Sequence, residues 1–154
     1  MTQITEGLRS THLSLNHRCT QKCQMCERWA WEDHPANQAR EILSELEIAS
    51  LLKDLKKMGL GKVTLTGGEP TIRADFINIV KHSLDEGLHV GVVTNGNLLQ
   101  RKILRLEEIE AVKSKQFQIS ISLLGTESAT HDLNAKVPGA LSKARRAYTQ
   151  FTKH

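Results

Sequence analysis

From Leu13 onward the chain repeats one unit: a short strand-like segment, a turn carrying glycine or polar residues, and an amphipathic helix. Four segments read as strands: "HLSLN" (His12–Asn16), "KVTLTG" (Lys62–Gly67), "HVGVVTN" (His89–Asn95) and "FQISISL" (Phe117–Leu123). In the last, Phe117, Ile119, Ile121 and Leu123 alternate with Gln118, Ser120 and Ser122. Likewise Leu13 and Leu15 alternate with His12, Ser14 and Asn16, and Val63 and Leu65 with Thr64 and Thr66. Successive side chains of a strand point to opposite faces, so each of these strands has an apolar and a polar side. "HVGVVTN" keeps the pattern less strictly, because Gly91 and Val93 share the face that ends in Asn95. Strict alternation of strand and helix implies a parallel sheet, since parallel neighbours need a crossover and a helix usually supplies it. A doubly wound sheet would bury both strand faces and show near-continuous apolar runs. Here the crossover helices can cover only the apolar face, which leaves the polar face to line a hydrated or ligand-filled space. The expected fold is α/β: four β/α units with a parallel sheet, forming a partial TIM-like (β/α) barrel.

The helix after the first strand is the clearest. Ser44 opens a capping box with Glu47, Ile48, Leu51, Leu52, Leu55 and Met58 follow at helical spacing, and Gly59 stands where a helix ends. A second helix runs from about Asp75 to Gly87 with Phe76, Ile77, Ile79, Val80 and Leu84 inward. A third covers roughly Leu99–Lys113 with Ile103, Leu106, Ile109 and Val112 inward. A fourth follows "VPG" and turns Leu141, Ala144, Tyr148 and Phe151 to the core. At 154 residues the chain reads as one domain, residues 1–154. Its first residues lack the basic start and apolar run of a secretory signal, and nothing is long and apolar enough to span a bilayer, so a cytoplasmic location without membrane contact is expected. A formal charge of +4, dispersed along the chain, gives no argument for nucleic acid.

All three cysteines fall in "CTQKCQMC", immediately after the first strand. That places Cys19, Cys23 and Cys26 at the carboxyl end of a strand, the end where β/α barrels carry their chemistry. An odd number of cysteines confined to one loop does not make a disulfide framework. The Cys-x3-Cys-x2-Cys spacing lets one tight loop present three soft thiolates, suited to an iron-sulfur cluster or to zinc. A structural zinc would need a fourth ligand, for which His17 or His34 stands nearby, and three free thiols without metal are the remaining reading. The other strands end in comparable turns: "TGGEP" (Thr66–Pro70), "TNG" (Thr94–Gly96) and "SLLGT" (Ser122–Thr126). Paired glycines allow close backbone approach and free amide and carbonyl groups for a ligand. Each turn alone is a weak signal; four at one end of one sheet, with thiols at the first, form a joint one. The long irregular connection "WEDHPANQARE" (Trp31–Glu41) adjoins the cysteine loop.

On these motifs the chain resembles the radical S-adenosylmethionine enzymes. "CTQKCQMC" is similar to their cysteine loop and "GGEP" to their second-strand motif. "HVGVVTNGNLL" and "ISLLGTESATHDLNAKVPGALSKA" resemble the branch of molybdopterin-precursor synthases and peptide maturases, and the likeness runs from about Leu13 to about Phe151. The resemblance implies a [4Fe-4S] cluster on Cys19, Cys23 and Cys26, with S-adenosylmethionine on the open iron and an electron donor such as flavodoxin or ferredoxin. It implies cleavage to a 5′-deoxyadenosyl radical that removes hydrogen from an unknown substrate. It also implies a cofactor-binding set: Gly67, Gly68 and Glu69 at the methionine amino group, chiefly through backbone atoms, with Pro70 after them, Thr94 and Asn95 in the next loop, Ser120 and Ser122 at the ribose or methionine carboxylate, and Met25 beside the adenine. Leu124 stands where the related pattern has an acidic residue and Ala135 about where some relatives carry arginine, with Lys136 beside it. His131 and Asp132 read as structural. The family core has six β/α units and this chain offers four, so the expectation is a core domain truncated after the fourth unit or completed by a second subunit. The alternative is a non-catalytic metal- or cluster-binding module.

Overall fold

The computed structural model describes residues 9–31 and 42–151; most of the connection expected over Trp31–Glu41, with His34, lies outside them. Four parallel strands form one sheet in the order of the chain: β1 (Ser10–Ser14), β2 (Lys62–Thr66), β3 (His89–Thr94) and β4 (Phe117–Ile121). Sequential parallel order with a crossover between each pair is the winding of a barrel segment, and β1 and β4 are its two edges. The expected α/β architecture is therefore the observed one. β1 lies two residues earlier than the hydrophobic pattern suggests. Its first residues, Ser10 and Thr11, sit on an edge and carry no apolar signal, although the ladder also extends past Ser14 through the bond from Leu15 N to Thr66 O (2.8 Å).

The pairing register turns the sequence alternation into rows across the sheet. Thr11, Val63, Val90 and Phe117 stand side by side, as do Leu13, Leu65, Val92 and Ile119. Between them runs His12, Thr64, Gly91 and Gln118. The apolar rows are covered by α1 (Glu45–Lys57), α2 (Phe76–Asp85) and α3 (Gln100–Glu107), whose Ile48, Leu52, Phe76, Ile79, Val80, Ile103 and Leu106 join Val63, Leu65, Val90 and Val92 in one buried cluster. The capping box forms as expected: Ser44 Oγ accepts from Glu47 N, and Glu47 Oε2 accepts from Ser44 N at 2.8 Å.

Two helices differ from the sequence reading. The third ends at Glu107, because Ile109 takes an extended conformation, and a separate 3₁₀ turn over Glu110–Lys113 buries Val112. A further helix, α4 (Ser128–Ala135), precedes the last one; it buries only His131 and Ala135 and so leaves no apolar stripe in the sequence. In α5 (Ala140–Phe151) the buried face is Ala140, Leu141, Ala144 and Ala147, and Tyr148, expected inward, is 62% exposed. Ala144 lies against the turn after β3, where a Cβ on Gly96 would come 3.0 Å from its Cα. Tyr148 shares this face but borders an open hollow beside the free edge β4, lined by Ile119, Ile121 and Leu123. Asp132 caps α5 by accepting from Gly139 N (2.7 Å) and Leu141 N (2.9 Å), while His131 Nδ1 accepts from Leu124 N (3.1 Å), the structural roles expected.

Arg73 fixes the strand ends to the helices. Its guanidinium grips Asp75 through Nε (2.8 Å) and Nη2 (2.6 Å), while Nη1 donates to Leu15 O (3.0 Å) and Leu43 O (2.9 Å). No helix among the described residues is long and apolar enough to cross a membrane. Removing the fully buried Phe76 side chain (Phe76→Ala) should cost about 3–5 kcal/mol of stability. Ser44→Ala, which removes only a cap, should cost about 1 kcal/mol; urea denaturation of the two variants measures both.

Candidate functional site

The loops after β1, β2 and β3 meet at the carboxyl end of the sheet. The turn after β2 is pressed against the root of the cysteine loop: Gly68 N donates to Asn16 O (2.9 Å), Glu69 N donates to Arg18 O (2.7 Å), and Asn16 Nδ2 donates to Glu69 O (3.0 Å). The approach excludes side chains. Gly67 has φ +147° and a Cβ there would lie 2.7 Å from Asn16 O; a Cβ on Gly68 would lie 2.1 Å from Arg18 O. The glycine pair is thus required by a backbone-to-backbone seam within the protein. The Gly68 and Glu69 amides are committed to that seam, and Asn16 Nδ2 takes the Glu69 carbonyl.

The Glu69 side chain is fully buried. Its carboxylate accepts from Thr71 N (3.2 Å), Thr71 Oγ1 (2.5 Å), Thr94 Oγ1 (2.6 Å) and Asn95 N (2.8 Å). One carboxylate therefore joins the turn after β2 to the turn after β3. Thr94 Oγ1 also accepts from Gly96 N at 3.1 Å, and Pro70 begins a buried 3₁₀ turn. In the third loop Asn95 Nδ2 donates to Cys19 Sγ (3.5 Å) and to Thr20 Oγ1 (3.1 Å).

The cysteine loop is held from its other side by the end of α4, where Lys22 N donates to Ala135 O (3.1 Å) and Gln24 N to Asn134 O (2.9 Å). Trp29 Nε1 donates to Cys23 O at 3.4 Å, and the Lys22 ammonium lies 5.4 Å from the Trp29 ring centroid. Cys19, Cys23 and Cys26 are free thiols. Burial pushes the Cys19 thiol up, and the Glu69 and Cys26 charges add to it against hydrogen bonds from the Gln21 backbone and Asn95. Burial likewise raises Cys23, followed by the charges of Cys19 and Cys26. Cys19 and Cys23 thus resist ionisation, and a soft metal centre is the kind of positive partner that would favour their thiolates. Around them Asn16 Oδ1, His17 Nδ1, Gln21 Nε2 and Asn97 Oδ1 are buried without a hydrogen-bond partner. Buried polar atoms in native proteins are ordinarily satisfied, so these atoms in the loops after β1 and β3 are consistent with a site completed by a ligand. The donor set fits an iron-sulfur group. Among the described residues no three His, Cys, Asp or Glu side chains are set to hold a single metal ion, and His17, the described zinc candidate, lies with its ring 6.0 Å from that of Trp31.

The structure brings Cys19, Asn95, Thr94, Gly67, Gly68, Glu69 and Pro70 into one bonded assembly. It places Met25 at the loop tip, 65% exposed, and Ser120 and Ser122 exposed at the end of β4. Asn16, Thr20, Gln21 and Asn97 belong to the site without having been marked by the sequence. Only their nearness to the motifs hinted at them, because short polar residues beside a turn look like ordinary loop residues.

Gly68→Ala should displace the root of the cysteine loop and lower the melting temperature markedly, whereas Gly61→Ala, whose Cβ would sit 3.5 Å from its nearest neighbour Arg9 O, should be tolerated. In the metal-free protein, iodoacetamide labelling of Cys19 should reach half its maximal rate at a higher pH than that of a free thiol. Labelling followed by peptide mass spectrometry reads this directly.

The Radical SAM superfamily model matches residues 13–150. Among similar proteins, the molybdenum cofactor biosynthesis protein moc-5 of Caenorhabditis elegans is 38% identical over 117 residues, 75% of this chain and 19% of the relative. The PqqA peptide cyclase of Bradyrhizobium diazoefficiens is 32% identical over 120 residues, 78% of this chain and 30% of the relative. The chain thus spans less than a third of either. Among solved structures, Streptococcus suis SuiB bound to its precursor peptide SuiA has a TM-score of 0.77 at 19% identity, covering 96% of this chain and 31% of that one. SuiB bound to S-adenosylmethionine gives a TM-score of 0.70, also at 19% identity, over 95% of this chain and 31% of that one. With the thiol loop, the glycine seam and the parallel strand order already in place, the match over nearly the whole length settles the kinship: this chain belongs to the radical SAM superfamily.

Proposed function

We propose that this chain is the cofactor-binding part of a radical SAM enzyme, holding a [4Fe-4S] cluster on Cys19, Cys23 and Cys26 and S-adenosylmethionine beside it. The observation that carries the reading is the seam between the thiol loop and the "GGEP" turn, made by Gly68 N on Asn16 O and Glu69 N on Arg18 O. It holds a soft, three-thiol donor set against the turn that carries the Gly67 and Gly68 carbonyls. Held by these three thiols, a reduced cluster would supply the one-electron chemistry that cleaves a carbon–sulfur bond of S-adenosylmethionine to methionine and a 5′-deoxyadenosyl radical able to take hydrogen from a substrate.

The chain's own residues divide the work of binding. Carbonyl oxygens of Gly67 and Gly68 suit an amino group, which donates. Exposed Ser120 and Ser122, on the polar face of β4, suit ribose hydroxyls or a carboxylate, and the exposed Met25 side chain offers a soft apolar surface to adenine. Glu69, Pro70, Thr94 and Asn95 serve by framing the loops. A reducing cytoplasm suits three free thiols, and an external one-electron donor such as flavodoxin or ferredoxin is required by the chemistry. Among the described residues β4 is a free edge of the sheet, a place where a further strand could pair. The relatives' names include a peptide cyclase and SuiB is bound to a peptide, which makes a peptide one substrate class to try first.

Anaerobic reconstitution with iron and sulfide should give a brown protein carrying about four irons per chain, each of Cys19→Ala, Cys23→Ala and Cys26→Ala losing most of that iron. Under strong reduction the loaded protein should release 5′-deoxyadenosine from S-adenosylmethionine. A colourless protein that takes up zinc in a tetrahedral site would support the non-catalytic module instead.

A further inference from the structure

We propose that Asn95 is a positioning residue: its Nδ2 donates a hydrogen bond to Cys19 Sγ and so raises the reduction potential of the cluster that this thiol would hold. The inference rests on the cluster assignment above and concerns a contact already present in the chain.

The orientation of the Asn95 amide is fixed by its neighbours. Asn97 N can only donate, and it lies 3.0 Å from Asn95 Oδ1, which turns Nδ2 toward the sulfur 3.5 Å away. The second Nδ2 hydrogen faces Thr20 Oγ1 at 3.1 Å, and Asn97 Nδ2 also reaches that hydroxyl at 3.3 Å. Both donors and the acceptor of the amide are therefore spent on the loops, which leaves none for a cofactor. Asn95 is also anchored from behind, since its N–H donates to the buried Glu69 carboxylate at 2.8 Å. Only 9% exposed, the side chain meets the sulfur with little competition from water. A donor aimed at a cluster sulfur draws electron density from it and stabilises the more negative, reduced state, and such hydrogen bonds are among the protein's levers on cluster potential. Glu69, Asn95 and Cys19 thus form one hydrogen-bonded line from the second-strand turn, through the third, to the Cys19 sulfur.

The test is an EPR-monitored redox titration of the reconstituted full chain, wild type against Asn95→Ala and Asn95→Asp. With iron content retained, the ratio of reduced to oxidised cluster at a fixed potential should fall about tenfold in Asn95→Ala, which is about 59 mV for a one-electron couple. It should fall further in Asn95→Asp, which adds negative charge. Wild-type protein with ¹⁵N-labelled asparagine should show a nitrogen coupling to the reduced cluster that Asn95→Ala lacks. This second measurement decides the matter if the variants fail to fold. A ratio within twofold of wild type in an iron-replete Asn95→Ala, or no coupling in the labelled wild type, overturns the inference while leaving the cluster assignment standing. A wild-type chain that takes up no cluster overturns both.

Discussion

The site depends on one buried carboxylate. Glu69, fully enclosed, gathers its hydrogen bonds from the residue two places on and from the end of the neighbouring strand's loop. A carboxylate taken out of water is costly unless its lone pairs are filled, and here four donors fill them. Because those donors belong to two different β/α units, the bond network fixes the spacing of the loops that follow β2 and β3. The glycine seam then fixes the loop after β1 against the same turn. Three loops that could each fluctuate alone become one body, and the thiols ride on it.

The Glu69 carboxylate spends its hydrogen bonds on the protein's own loops, and the groups proposed to meet a ligand are carbonyls and small hydroxyls on the polar strand face. The sheet register makes that division possible. Apolar rows such as Leu13, Leu65, Val92 and Ile119 anchor the helices, while the alternate row from His12 to Gln118 is left on the opposite side. The same four strands thus build a core on one side and a polar wall on the other.

Much of this was legible in the sequence, and the limits follow from what periodicity can see. Strand alternation and the capping box at Ser44 and Glu47 report burial and orphan amides directly, so the parallel α/β order and α1 were readable. The break in the third helix was not, because Ile109 and Val112 continue an apolar spacing that a 3₁₀ turn satisfies as well as an α-helix does. α4 was invisible since it buries a histidine and an alanine, and Tyr148 misled because it does lie on the helical face of Leu141, but beside the free edge β4, where it stays exposed. At the site the motifs were plain, yet the roles within them were not. Nothing in "GGEP" alone distinguishes amides offered to a ligand from amides spent on Asn16 and Arg18.

The central claim is that three thiols on this framed loop hold a cubane with one iron left for S-adenosylmethionine. Mössbauer spectroscopy of ⁵⁷Fe-loaded protein, with and without S-adenosylmethionine, tests it most directly. The account predicts that one iron of the four changes its signal when S-adenosylmethionine is added while the other three do not. Four irons that remain indistinguishable and unaffected would contradict it.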